Sequence, residues 1–251
     1  MENNKRSILI TGGTGKIGKV LVREMLQDGH QVVFTSTSAE NRDMLLQEFS
    51  QFSSQLYGTI LKFENVESIN QWSISLPIKV DTIIHNARSL SSLKIGADGF
   101  SDFDNIIKEI SIAIAYPYQI NKAVILNEHP LRDIIFISSM YGSVAPNKQL
   151  YDNFHRQSPI QYGIGKAAQI HTVKELAVRL AEKNIRVNAI SFGGVEGRVN
   201  EVFKERYSRL NPSGKMLVDD DLYPAIQFLL KNSMLNITGE NIKIDGGWTI
   251  W

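Results

Sequence analysis

An α/β fold built on a parallel β-sheet follows from three features of these 251 residues. Short apolar, β-branched runs alternate with segments of helical periodicity along the whole chain. The first run leads through a glycine-rich turn into a helical stripe, the βα succession a parallel sheet requires. No repeat, linker or low-complexity stretch breaks this alternation, so residues 1–251 are expected to form a single domain around one core.

The first strand, Ser7-Ile8-Leu9-Ile10, stops at Thr11-Gly12-Gly13-Thr14-Gly15-Lys16-Ile17-Gly18, after which Val20, Leu21, Met25 and Leu26 fall at helical spacing. Strand, glycine turn and helix form the setting in which backbone amides and a helix N-terminus receive a pyrophosphate. A phosphate loop of the G-x-x-x-x-G-K-[ST] kind is excluded, because position 10 is Ile and Lys16 is followed by Ile17. A second strand, Gln31 to Phe34, ends in Thr35-Ser36-Thr37-Ser38. Dinucleotide folds that bind a ribose diol place an acid about twenty residues past the glycines. Here the tip carries hydroxyls, with Arg42 and Lys16 within reach, which favours NADP(H) over NAD(H). Arg42 could equally solvate a helix start.

Tyr57 to Phe63 reads as a third strand, Val66 to Trp72 as a helix, and Val80-Asp81-Thr82-Ile83-Ile84 as a fourth strand ending at His85-Asn86-Ala87-Arg88. Residues 89–102 form a long Ser- and Gly-rich loop, followed by a helix over Asp104 to Leu126 with a kink or irregularity at Pro117. Ile134-Ile135-Phe136-Ile137 is a fifth strand carrying Ser138-Ser139 at its carboxyl end, where ligands bind in open parallel sheets. Residues 140–157 read as a polar loop containing Tyr141 and Tyr151.

Ser158-Pro159-Ile160-Gln161 carries a helix-start signature: Ser158 as cap, Pro159 at the first position, Gln161 as box partner. The helix continues through Ala167, Ile170, Val173, Leu176, Ala177 and Leu180. Tyr162 and Lys166 then share one face, four residues apart. A phenol beside an ammonium suits proton transfer to a carbonyl oxygen. Ile185 to Ile190 forms a sixth strand, followed by Ser191-Phe192-Gly193-Gly194. Residues 196–217 lack an apolar stripe and read as a mobile lid or short helices. Asp219-Asp220-Asp221 opens a final helix over Leu222 to Leu230, and Thr238 to Gly247 forms the last strand and turn.

Composition limits the partners. With 27 basic and 26 acidic residues the net charge is +1, so no long-range field favours nucleic acid or a membrane surface, and a small molecule is the expected partner. The absence of cysteine excludes disulfides and thiol catalysis. The five histidines show no ligand spacing, so no metal is expected. The polar start, and the lack of an apolar run near the ~18 residues a membrane span needs, predict a cytoplasmic protein.

Six marks in register make the chain resemble the short-chain dehydrogenase/reductase family: the Thr11–Gly18 turn, His85-Asn86-Ala87, Ile137-Ser138-Ser139, Tyr162-x-x-x-Lys166, Ile185-Arg186-Val187-Asn188 and Ile244-Asp245-Gly246-Gly247. The resemblance implies a Rossmann-type, doubly wound parallel β-sheet flanked by helices on both faces, a nicotinamide dinucleotide and hydride transfer between a carbonyl and an alcohol. It assigns Tyr162 as general acid/base, Lys166 to the nicotinamide ribose, and Ser139, rather than Ser138, to the reacting oxygen. Gly12, Thr14, Gly15, Lys16, Ile17 and Gly18 would surround the pyrophosphate. Ser36, Thr37, Asn86, Ala87, Gly193 and Val195, with Tyr162 and Lys166, would complete the cofactor site. Ser139, Tyr141, Tyr151, Tyr162 and Gly194 would meet the substrate. A homodimer or homotetramer formed through the long helices is implied as well.

The departures are specific. Gly15 stands one place early and Lys16 takes the middle glycine's place, a spacing found in the extended, sugar-nucleotide branch. That branch is rejected because only 85 residues follow Lys166. Lys62 stands where an adenine-binding Asp is common, Arg88 where the Asn-Ala-Gly glycine belongs, and Ala113, near Ser111, where an asparagine completes a proton relay. The relay must therefore differ, for instance by using water. Phe192 and Gly197 replace Pro and Thr beside the carboxamide. Tyr151 is a rival for Tyr162 by distance from Ser138, but His155 follows it where Lys is required. The longer segment before Tyr162, with Ala145-Pro146, resembles the flagellin-modification and surface-sugar branch, implying a polar, sugar-like substrate. The other reading these departures keep open is a non-catalytic dinucleotide-binding sensor or partner on the same fold.

Overall fold

The computed structural model describes residues 5–63, 65–197, 199–231 and 236–250. Met1 to Asn4 of the polar N-terminus and Arg198 of the expected lid lie outside them. Seven strands, β1 (Ser7–Ile10), β2 (Gln31–Ser36), β3 (Leu56–Ile60), β4 (Thr82–His85), β5 (Asp133–Ser139), β6 (Arg186–Phe192) and β7 (Asn241–Ile244), make one sheet in the order β3-β2-β1-β4-β5-β6-β7. Every pairing is parallel. The order reverses direction at β1, so a crevice opens between the ends of β1 and β4, where such sheets bind their ligands.

Strand periodicity divides the core. Ile8, Ile10 and Phe34 pack to one side, against α1 (Lys16–Gln27) and α9 (Pro224–Lys231), whereas Leu9 and Val33 pack to the other. There they meet α3 (Val66–Ile74), α5 (Tyr116–Leu126) and α7 (Ile160–Leu180). The remaining helices are α2 (Ala39–Glu48), α4 (Phe103–Ile110), α6 (Phe154–Gln157) and α8 (Glu201–Leu210).

The irregularity expected in the helix over Asp104–Leu126 is a π turn at Ser111–Ala115 that joins α4 to α5. Pro117 lies in the first turn of α5, where its missing N–H costs least. Ser158 makes no cap for α7: Pro159 holds the N-cap position without a side-chain bond, and the Gln161 amide turns inward instead. It accepts from Ser101 Oγ at 2.5 Å and donates to the Ser92 and Lys94 carbonyls, tying the 89–102 loop to the helix. Within 196–217, α8 is anchored, because Tyr207 is fully buried and stacks on Trp248 at 4.5 Å.

The edge of the sheet opposite the crevice holds a buried ion cluster. Asp133 pairs with Arg186 at 2.6 Å and Arg6 at 3.3 Å, and Arg6 also approaches Asp81 at 3.9 Å. Burial pushes the Asp133 carboxyl up, and Arg186 and then Arg6 oppose that. Removing the shared acid leaves two arginines facing a largely buried space. Asp133→Ala should therefore destabilise the fold by about 3–5 kcal/mol, read as a lowered urea midpoint with an unchanged slope.

Candidate active site

The glycine turn is shaped by contacts that exclude side chains. Gly12 has φ +67°, and a Cβ there would lie 2.8 Å from the Ala87 Cα. A Cβ on Gly18 would press on the Gly12 carbonyl and sit 2.9 Å from Asn86 Nδ2. The Thr11 hydroxyl accepts from the Asn86 and Ala87 amides, both at 3.1 Å. Asn86 Nδ2 returns bonds to the Thr11 and Gly12 carbonyls. The tip of β4 is thus stitched to the turn after β1. Gly15 caps α1 without a side-chain bond and no acid lies in the first turn, so the leading amides of α1 remain available to an anion.

Two adjoining cavities lie over this end of the sheet. The first, of about 280 Å³, is lined by Gly12, Thr14, Gly15, Gly18, Ser36, Thr37, Asn86, Ala87 and Lys166. The second, of about 460 Å³, is lined by Ser139, Tyr141, Tyr151, Gly193, Gly194 and Val195. Lys16, Ile17, Arg88, Ser138 and Tyr162 line both and form the partition. The two cavities together include the glycine-turn residues, Ser36, Thr37, Asn86, Ala87, Ser139, Tyr141, Tyr151, Tyr162, Lys166, Gly193, Gly194 and Val195 that the sequence nominated. Arg42 lines neither: it pairs with neighbouring Asp43 at 2.8 Å, which suits the helix-start reading.

Lys166 is buried although it carries an ammonium. Its Nζ donates to the Ile137 carbonyl at 2.8 Å and to Gln169 Oε1 at 3.0 Å, and lies 5.7 Å from the Tyr162 ring centroid. Burial pushes its pKa down to about 8; Glu109 favours the charged form and Arg88 opposes it. The Arg88 guanidinium stands 5.3 Å from the centre of the same ring. Ser138 Oγ donates to the Lys166 carbonyl at 3.1 Å, fastening the end of β5 to α7. Ser139 Oγ accepts from the Tyr141 amide at 3.3 Å and keeps its own proton to donate.

The second cavity is walled by aromatic side chains. Tyr141 meets Tyr162 edge-on at 6.4 Å and hydrogen-bonds Tyr151, hydroxyl to hydroxyl, at 3.0 Å. Burial, and then Tyr151, push the Tyr141 phenol up, so it stays protonated. Phe203 and Tyr207 of α8 also line this cavity, together with Met216. Sequence reasoning missed them because 196–217 shows no motif, and it missed Gln169, whose one signal is a polar residue a turn beyond Lys166. No Asp or Glu lines either cavity among the described residues, nor could any group of His, Cys, Asp or Glu among them hold a metal.

A family model described as enoyl-(acyl carrier protein) reductase matches residues 14–249. The chain is 25% identical to post-translational flagellin modification protein A of Campylobacter coli, covering 96% of this chain and 97% of that protein. It is 23% identical to a 3-oxoacyl-[acyl-carrier-protein] reductase of Aquifex aeolicus, covering 95% of each. A short-chain dehydrogenase of Leptospira borgpetersenii, solved with bound NAD+, superposes with TM-score 0.80 at 25% identity, covering 98% of this chain and 93% of that one. A gluconate 5-dehydrogenase of Burkholderia cenocepacia, in complex with NADP and tartrate, shares the fold at TM-score 0.83 and 18% identity, covering 100% and 98%.

The stitch between β1 and β4 has a measurable worth. Asn86→Leu deletes two part-buried side-chain bonds to backbone carbonyls and should cost about 1–3 kcal/mol, measured by chemical denaturation of the ligand-free protein.

Proposed function

The chain belongs to the short-chain dehydrogenase/reductase family, and on that premise we propose that it reduces or oxidises a polar, sugar-like substrate with Tyr162 as general acid/base. Membership makes it an NAD(P)-dependent oxidoreductase. The observation that carries the finer reading is the partition. Tyr162 and Ser138 line both cavities, with Ser139 beside them in the second. A nucleotide filling the first cavity and a carbonyl in the second would therefore meet at the phenol.

The residues fit a dinucleotide. The uncapped N-terminus of α1 and the side-chain-free faces of Gly12 and Gly18 form a cradle for phosphates. When bound, the nicotinamide supplies or accepts the hydride. In reduction Tyr162 gives its hydroxyl proton to the carbonyl oxygen, and Ser139 steadies that oxygen by donating a hydrogen bond. The Lys166 ammonium favours the phenolate that results. In oxidation the same groups act in reverse. NADP(H) is favoured by the hydroxyl-bearing tip of β2 and by Lys16 and Arg88 in cavities without a lining acid. The hydroxyls of Tyr141 and Tyr151, with the side chain of Gln157, support a polar ligand in the second cavity. Exposed apolar side chains on α4 and α7, among them Phe103, Ile107, Ile160 and Ile164, support a homo-oligomer.

Fluorescence titration is expected to show tighter binding of NADPH than of NADH; the opposite order would refute the cofactor preference. In a panel of keto-sugars, keto-sugar acids and 3-oxoacyl thioesters, turnover should be fastest with a keto-sugar. Tyr162→Phe should lower kcat by about 10²–10⁴-fold while nucleotide affinity holds. Equal rates for wild type and the Phe variant on every substrate would exclude the proposed acid/base.

A further inference from the structure

The polar residue buried closest to the Lys166 ammonium is Gln169, 3% exposed and one helical turn further along α7. Its Oε1 accepts from Lys166 Nζ at 3.0 Å, and its Nε2 donates to the Ala113 carbonyl at 3.1 Å. That carbonyl sits in the π turn joining α4 to α5. Its α-helical partner would be the N–H of the residue four places on, which is Pro117 and has none. One side-chain amide therefore meets the need of a carbonyl that proline has deprived and the need of a buried cation. Its orientation is fixed, because the donor end must face the carbonyl and the acceptor end the ammonium.

We propose that Gln169 is a positioning residue that holds Lys166 at the wall of the cleft and preserves its charge, anchored through the Ala113 carbonyl. This rests on the reading of Tyr162 and Lys166 given above. The ammonium has three protons. Ile137 and Gln169 take two, leaving one for the cleft. The charged and titratable groups facing Nζ are Tyr162 on its own helix, Glu109 from α4 and Arg88 beyond β4. β5 and the π turn present backbone carbonyls.

An acceptor on Nζ stabilises the charged form, so its loss must lower the Lys166 midpoint and a charged acceptor must raise it. The test follows the lysine Cε resonance of Lys166 by 13C NMR against pH in the ligand-free full chain, assigned with Lys166→Arg. The wild-type midpoint should lie at about 8. Gln169→Leu should increase the acid dissociation constant by about tenfold or more, and Gln169→Glu should decrease it. Loosened packing alone would not drive the two variants in opposite directions. Midpoints equal to wild type, or displaced to the same side, overturn the proposal. If the Leu variant does not fold, Gln169→Glu decides, and a midpoint that fails to rise overturns it.

A second readout uses 2,3-butanedione with NADPH. The alkaline fall in kcat should move to lower pH in Gln169→Leu, with KM changed less than twofold. Tyr162→Phe, run alongside, separates the two ideas. Unmoved midpoints with an inactive Phe variant refute the role of Gln169 alone. Opposed midpoints with an active Phe variant refute the catalytic reading and leave Gln169 as the holder of Lys166.

Discussion

A cation buried at the carboxyl end of a parallel sheet is the constraint around which the cleft is built. Removing an ammonium from water is costly unless acceptors surround it, and Lys166 has them from two directions. The end of β5 offers the Ile137 carbonyl, and Gln169 offers an amide oxygen. Glu109, buried beneath the 89–102 loop, adds an opposite charge. These groups belong to β5, α7 and α4, so the position of the charge depends on one strand and two helices being correctly docked together.

The loop follows from the same need. Glu109 takes a hydrogen bond of 2.5 Å from Ser92, and Gln161 binds the Ser92 and Lys94 carbonyls. Residues 89–102 are therefore held against α4 and α7 by buried polar groups, and loop contacts and the lysine environment share one network. On the far side of the partition the wall depends on α8, whose Tyr207 accepts from the Gly194 amide while its ring stacks on Trp248. The first cavity is thus shaped by backbone geometry and the second by aromatic packing.

The sequence made the first cavity legible and the second only in part. Gly12, Gly18, Asn86, Tyr162 and Lys166 could be read because their roles require one residue type at one spacing: no Cβ, a short amide, a phenol and an amine one turn apart. Tyr141, Tyr151 and Gly194 were found through the register of neighbouring motifs. The start of α7 was reached by a wrong route. Ser158 and Gln161 fit a capping box in sequence, yet Gln161 is drawn inward by Ser101, Ser92 and Lys94. Tyr162 kept its place because Pro159 and the apolar stripe fix the helix start regardless.

By itself the sequence determined the parallel α/β sheet, the order of its elements and the pairing of Tyr162 with Lys166, since all three depend on periodicity and local spacing. It could not fix the form of the irregularity near Pro117, a π turn at Ser111–Ala115 that precedes the proline. Only the tertiary structure decided what Lys166 would touch. Ala113, Pro117 and Gln169 are separated by up to 56 residues, and they acquire a joint role only when folding brings a deprived carbonyl and a buried ammonium to opposite ends of one amide.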